Sequence, residues 1–279
     1  MGRMDDNCCK KVINVVDYGG VEDTLFIPLT ARVNISKKFP EYFHDEKALE
    51  MERLIAGKQI EKKSSEYSMI ASVARYYNLD QMAQNFIDKY DKCNVVNLGV
   101  GLETSYYRIE RKNALFFEVD LPEVIGLREK FLEVQENEKF VKGDLFTLGW
   151  CDELDATLPT LLIVSGVFQY FHEEDILKFI ADVRNRFSNV ELIFDATNKF
   201  GIKYTNFYVK RTGNSSAKMY FYVEDAEEFA KKAKSRLLEV RPFYTDARKI
   251  LKGKVGLYTK ISMKIADRQK NAMILHLKI

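Results

Sequence analysis

Three features of this 279-residue sequence predict an α/β fold, a doubly wound and mostly parallel sheet behind an N-terminal helical cap. Strand-like and helix-like runs alternate through the middle of the chain, which calls for parallel strands joined by crossover helices. The segments VVNL, LLIVS and LIF read as apolar throughout instead of alternating, as expected of strands covered by helices on both faces. A short β-branched run, Asn94 to Leu98, ends in a glycine turn, and the next apolar run ends in Asp120, 21 residues after Gly99. Nucleotide-binding sheets begin in this way.

Each element follows from local pattern. Residues from Glu41 to Tyr90 favour helix: FHDEKALEMERLIAG places apolar residues at helical spacing and stops at Gly57, and the run from Ser64 to Tyr90 continues the period. We therefore assign 1–90 to an N-terminal helical cap of the same domain and 91–279 to the core. Strands are expected at Asn94 to Leu98, Leu115 to Val119, Lys139 to Val141, Thr160 to Ser165 and Val190 to Phe194. Residues 199–223 hold seven aromatics without a clear period and interrupt the alternation, so they read as an insertion over the rim of the sheet. A helix near Val223 to Ser235, a strand at Leu237 to Pro242, a polar helix and a C-terminal edge strand at Ala272 to Ile279 complete the expectation.

The chemistry gathers where the strands end. Gly99 and Gly101 lack a Cβ, so the backbone can turn sharply and approach a ligand closely. A carboxylate at the tip of the next strand, Asp120, can accept hydrogen bonds from both hydroxyls of an adenosine ribose. The pair argues for an adenosine-containing cofactor, although Thr104 stands where a full dinucleotide fingerprint has its third glycine.

Composition narrows the classes. Lys plus Arg number 43 against 41 for Asp plus Glu, a net charge of +2 that gives no electrostatic reason to expect nucleic acid. No apolar run reaches the length of a membrane span, and the first residues lack the apolar core of a signal peptide, so a cytoplasmic location without membrane contact is expected. Cys8, Cys9, Cys93 and Cys151 show no metal spacing and are expected as reduced thiols. His44, His172 and His276 are scattered, supporting neither a metal site nor a His-centred triad.

With these segments in place, the chain resembles the class I S-adenosylmethionine-dependent methyltransferases, and more narrowly the leucine carboxyl methyltransferase family. VNLGVGLETSYYR followed by FFEVDLPEVIGLREK is similar to that family's NLGAGLDT and VDLPEV pattern. DTLFIPLTARV, the segment Ser72 to Asp80, LIVSGVFQYFHEEDILKFI and VELIFDATN resemble further elements, so the likeness runs from about residue 21 to the end. GVFQYF places it nearest the bacterial polyketide-type O-methyltransferases.

The resemblance implies a seven-stranded Rossmann-like methyltransferase sheet, S-adenosyl-L-methionine as cofactor with S-adenosyl-L-homocysteine as product, and a small-molecule acceptor methylated on a carboxylate or phenolic hydroxyl. It implies that Arg75 pairs with the cofactor's methionine carboxylate, that Gly99 and Gly101 form its turn, that Asp120 holds its ribose, and that Asp144 with Leu145 receives its adenine. Asp144 in KGDLF equally suits a helix cap, and Arg75 an amphipathic surface. Two departures stand out. Ser165 in IVSGVFQY occupies the place of the family Glu, so the carboxylate for the cofactor's ammonium is missing there, which predicts weaker binding or a substitute acid nearby. Glu103 replaces the usual Asp.

Methyl transfer from a sulfonium needs no covalent enzyme intermediate, and an ionised carboxylate acceptor needs no base. A phenol would benefit from one. His172 is the conventional base nearest the rim, although HEED reads equally as a helix start. The acceptor pocket is expected between Tyr106, Tyr107 and Arg108 and the aromatic insertion with Tyr204, Phe207, Tyr208, Arg211 and Tyr220. Competing readings are a protein C-terminal carboxyl methyltransferase, a non-catalytic binding protein of the same fold, and a nicotinamide-dependent oxidoreductase.

Overall fold

A computed structural model describes residues 21–55, 64–211 and 218–279, the side chains of 21–24 and 207–211 excepted. The expected alternation is present as seven strands: β1 Cys93–Leu98, β2 Ala114–Asp120, β3 Glu138–Lys142, β4 Thr160–Val164, β5 Val190–Thr197, β6 Arg236–Pro242 and β7 Ala272–Lys278. They form one sheet in the order β3-β2-β1-β4-β5-β7-β6. β1 to β5 pair in parallel, and β7 runs antiparallel between β5 and β6. Reversal of strand order between β1 and β4 opens the crevice in which ligands of such sheets lie.

One expectation fails at the end of the chain. The last strand is internal, and the edge belongs to β6. Composition explains the swap: Met273 to Leu277 are buried on both faces, whereas β6 carries Arg236, Glu239 and Arg241 and is mostly half-exposed or exposed. Charged residues on an edge discourage pairing with another chain.

Among the described residues, four helical segments precede the sheet: α1 Val21–Lys38, α2 Glu46–Glu50, a 3-10 turn Met51–Leu54 and α3 Glu66–Ile87. α1 was not legible as a helix because Pro28 lies inside it, where proline removes a backbone donor and crowds the preceding turn. α3 starts where Ser65 Oγ accepts the Ser68 N–H at 3.1 Å. Alternate residues of the continuously apolar strands feed two cores. Val95 and Ile163 pack with α3 residues such as Val73 and Phe86, while Val96 and Leu162 pack on the opposite face with Phe168, Phe179 and Trp150.

The stretch without periodicity contains a helix, Lys199–Arg211, and resumes at 218–223 without regular secondary structure. The expected helix near Val223 to Ser235 is present at Ala226–Lys232, and two helices, Thr245–Ile250 and Leu257–Arg268, occupy the polar span before β7. No described helix is long and apolar enough to cross a membrane, and no group of three metal-ligating residues occurs among the described residues. Cys93 and Cys151 are free and buried, and burial pushes their thiols up to about 11 and about 12, which leaves them unreactive at neutral pH. Cys8 and Cys9 lie outside the described residues.

Candidate active site

The rim at the strand ends assembles in two halves. In the first, the chain leaving β1 curls over β2: the N–H groups of Gly99 and Val100 both donate to the Val119 carbonyl, at 2.9 and 3.1 Å. That curl requires left-handed backbone at Gly99 (φ +68°) and Gly101 (φ +54°). At Gly99 space demands glycine as well, since a Cβ would stand 2.5 Å from Val167 Cγ2; at Gly101 a Cβ would meet only the movable tip of Leu25, and the left-handed backbone is the reason for glycine. Asp120 closes this half. One carboxylate oxygen accepts the Gly101 N–H and the other the Leu121 N–H, both at 2.8 Å. Burial raises its pKa, while the two backbone donors oppose the rise. Each oxygen keeps a lone pair for a further donor.

Beyond β3, Asp144 accepts the Phe146 N–H at 2.7 Å and so caps its own turn. Leu145 is buried beside Trp150, whose Nε1 donates to the Leu145 carbonyl at 3.1 Å.

The second half lies after β4. Val164 is paired with Phe194 in the β4–β5 register, so the residues that follow, Ser165 and Asp195, emerge side by side. Gly166 (φ +71°) donates its N–H to Asp195 Oδ1 at 2.5 Å, and Arg75 from α3 reaches across, with Nη1 3.3 Å from Asp195 Oδ2. The guanidinium lies against Gly166 so closely that a Cβ there would stand 2.7 Å from Nη1. It also rests over the Tyr76 ring, 5.2 Å from the centroid. Burial lowers the Arg75 pKa, but Asp195 and Tyr76 more than offset this, so it stays charged. Tyr170 follows in the same loop; burial raises its hydroxyl pKa and the Arg75 charge opposes that. Two polar atoms here are buried without a partner, Ser165 Oγ and Arg75 Nε. Such groups cost free energy until a partner arrives.

Asp195 is the residue that sequence reading missed. Its signal was close to the one that identified Asp120, an acid directly after an apolar run, here LIF, although β5 continues past it to Thr197.

Three residues expected in the acceptor wall are engaged elsewhere. Tyr106 packs into the core against Phe116, with ring centroids 5.1 Å apart. Tyr107 packs beside Phe131 and donates its hydroxyl to the Glu133 carbonyl at 3.2 Å. Arg108 is consumed by a buried ion network: it grips Asp80 with Nε and Nη2 at 2.7 and 2.9 Å, Asp45 at 2.7 Å and Glu103 at 2.6 Å. The reason is local, because the short helix Ser105–Arg108 turns inward directly after the glycine turn. Its aromatic and cationic residues therefore serve packing, and Glu103 belongs to the same network.

Tyr204 is exposed on the helix Lys199–Arg211, and the side chains of Phe207, Tyr208 and Arg211 lie outside the described residues. Tyr220 and His172 do meet, with ring centroids 4.5 Å apart, and line a cavity of about 520 Å³ with acids such as Glu224 and Glu228. None of the candidate cofactor residues lines that cavity. His172 opens the helix Glu173–Arg184, donating its N–H to Asp175 Oδ2 at 3.2 Å, so the helix-start reading describes its position.

Known proteins resemble this chain in sequence and in fold. The model of the family described as leucine carboxyl methyltransferase matches residues 22–184. The chain is 23% identical over 189 residues to the tetracenomycin polyketide synthesis O-methyltransferase of Streptomyces glaucescens, covering 67% of this chain and 70% of that protein. In three dimensions it is similar to a candidate methyltransferase from Thermobifida fusca, at 13% identity and a TM-score of 0.58, over 89% of this chain and 93% of the other. It is also similar to an S-adenosylmethionine-dependent methyltransferase from Mesorhizobium loti, at 14% identity and a TM-score of 0.53, over 75% of this chain and all of that one.

Proposed function

The chain belongs to the leucine carboxyl methyltransferase family, whose members use S-adenosylmethionine, and from that premise we propose that it methylates an oxygen, carboxylate or phenolic hydroxyl, of a small organic acceptor. The observation that carries the reading is the rim itself: left-handed glycines after β1 and β4, an acid at the tip of β2, and a guanidinium with an unpartnered edge. These residues fit S-adenosylmethionine. Unpartnered Ser165 Oγ and Arg75 Nε await polar partners, and the glycines leave backbone bare where a nucleoside and an amino-acid tail would need close approach.

When bound, the cofactor supplies an electrophilic methyl group on a sulfonium. Asp120 would accept from the ribose hydroxyls with the lone pairs that Gly101 and Leu121 leave free. Arg75 would take the methionine carboxylate, a task suited to a planar fork held against Tyr76. Asp144 and Leu145 would flank the adenine. The protein's contribution to rate is positioning and exclusion of water, which brings acceptor oxygen and methyl carbon into line. Choice of oxygen follows the likeness to the tetracenomycin enzyme, an O-methyltransferase of polyketide synthesis.

The test is incubation with S-adenosylmethionine and a panel of phenols, aromatic carboxylic acids and amines, reading S-adenosylhomocysteine by mass spectrometry. Turnover with phenols or carboxylic acids supports oxygen transfer. Turnover confined to amines, or none above the no-acceptor control, contradicts it.

A further inference from the structure

We propose that Asp195 is this chain's ligand for the cofactor's α-ammonium, replacing a carboxylate that Ser165 cannot supply. The inference rests on the methyltransferase reading and deepens it. Asp195, in the C-terminal part of β5, and Arg75, in the middle of α3, stand side by side, a carboxylate and a guanidinium at 3.3 Å with side chains 12% and 15% exposed. Their contact is long for a charge-assisted hydrogen bond, which is strongest near 2.7–2.9 Å. An α-amino acid carries the complementary pair of charges at a fixed short separation, its carboxylate matching Arg75 and its ammonium matching Asp195.

Capacity remains on both residues for that exchange. Asp195 Oδ1 accepts only the Gly166 N–H and Oδ2 only Arg75 among the described contacts, so each oxygen retains a lone pair. Arg75 Nε is buried with no partner at all. The Gly166 N–H fixes the carboxylate at 2.5 Å, which orients it before any ligand arrives. Ser165 sits beside it with its hydroxyl unpartnered and can add a neutral hydrogen bond. Placed one strand over from the usual position, the acid reaches the same rim because β4 and β5 are in register there.

Titration calorimetry separates this role from general support of the fold. The ligands are S-adenosylhomocysteine, which carries the amino-acid tail, and 5′-methylthioadenosine, which lacks it. The proteins are the wild-type chain, Asp195→Asn, and Ser165→Glu combined with Asp195→Asn, each checked for native circular dichroism. Asn keeps the acceptor for Gly166, so the loop geometry is preserved while the charge is lost.

We expect Asp195→Asn to weaken S-adenosylhomocysteine at least about tenfold, the scale of one charge-assisted hydrogen bond, while methylthioadenosine changes by less than about threefold. The double variant, with the acid moved to position 165, should recover most of the loss. Equal weakening of both ligands, or no weakening of either, overturns the role of Asp195 while leaving the cofactor assignment standing. Failure of the wild-type protein to bind either ligand overturns both.

Discussion

Two charged clusters flank the glycine turn, both built from arginines and acids drawn out of solvent, yet their contacts differ in length. Around Arg108 the hydrogen bonds to Asp45, Asp80, Glu103 and Thr104 run from 2.6 to 3.0 Å, and Arg32 adds Asp45 at 2.8 Å and the Leu102 carbonyl at 2.6 Å. Around Arg75 the hydrogen bonds are 3.3 Å to Asp195 and 3.5 Å to Tyr76, and Ser165 Oγ has no partner. Exposure overlaps only at the margin: Asp80 and Arg75 are each 15% exposed, while Asp45, Arg32 and Arg108 lie at 0%, 1% and 6%. Contact length, not the count of partners, separates them: Arg32 Nε and Glu103 Oε2 are also buried without a partner, but the ion pairs of that cluster close at 2.6–2.9 Å, whereas Arg75 meets Asp195 only at 3.3 Å, the looser contact that leaves room for a ligand.

The sharpest way to break this comparison is to truncate the two arginines. Arg108→Ala leaves three acids buried without their main cation, and we expect a loss of about 3–5 kcal/mol in urea unfolding. Arg75→Ala should cost less than about half of that, because its protein contacts are long, and should instead weaken S-adenosylhomocysteine binding at least about tenfold. Equal stability losses would show that the second cluster is also structural.

Gly99→Ala asks how much of the turn is conformation. Left-handed φ together with the Val167 contact should cost roughly 1–3 kcal/mol, read by thermal or urea melts. A stable variant that still binds S-adenosylhomocysteine would contradict the account of the turn.

Glu118 supplies an interior case with incomplete partnering. Asn97 Nδ2 donates to Oε1 at 3.1 Å, Oε2 is buried without a partner, and burial raises the carboxyl from 4.5 to about 7. The folded state thus holds the proton more tightly than the unfolded chain. Its stabilising contribution is full below pH 4.5 and is lost as pH rises through about 7. Glu118→Gln should remove that slope and stabilise the protein at pH 8 by ~3 kcal/mol relative to wild type, with little change at pH 4. A variant destabilised equally at both pH values would place an essential anion there.

The smallest effect belongs to the surface. Lys178 and Asp182 pair at 2.6 Å on the exposed face of the helix Glu173–Arg184 with the lysine 76% exposed. Lys178→Ala should leave the melting temperature unchanged within error, since such pairs hold little.

The sheet was legible because strand patterning is local: residues such as Val95 and Ile163 are apolar wherever a strand has helices on both faces, and Gly99, Gly101 and Asp120 announce the turn by spacing alone. Three features were hidden for physical reasons. Pro28 masked α1 because proline opposes helix in isolation. The place of β7 inside the sheet depends on long-range pairing with β5, which no local pattern encodes. Arg108 and Tyr106 read as a substrate wall because exposed and buried arginines look alike in sequence until their acids, Asp45 and Asp80, are brought from distant helices. Asp195 escaped for the opposite reason, its strand-end signal being plain but its partner Arg75 lying 120 residues away.

The central claim is that the rim shared by Gly99, Asp120 and Arg75 holds S-adenosylmethionine. Its most direct test is titration calorimetry of S-adenosylhomocysteine into the wild-type protein, Asp120→Ala and Arg75→Ala at matched folding. The account predicts micromolar binding to the wild type, weakened at least about tenfold in each variant. Binding of equal strength in all three, or none to the wild type at millimolar ligand, would contradict it.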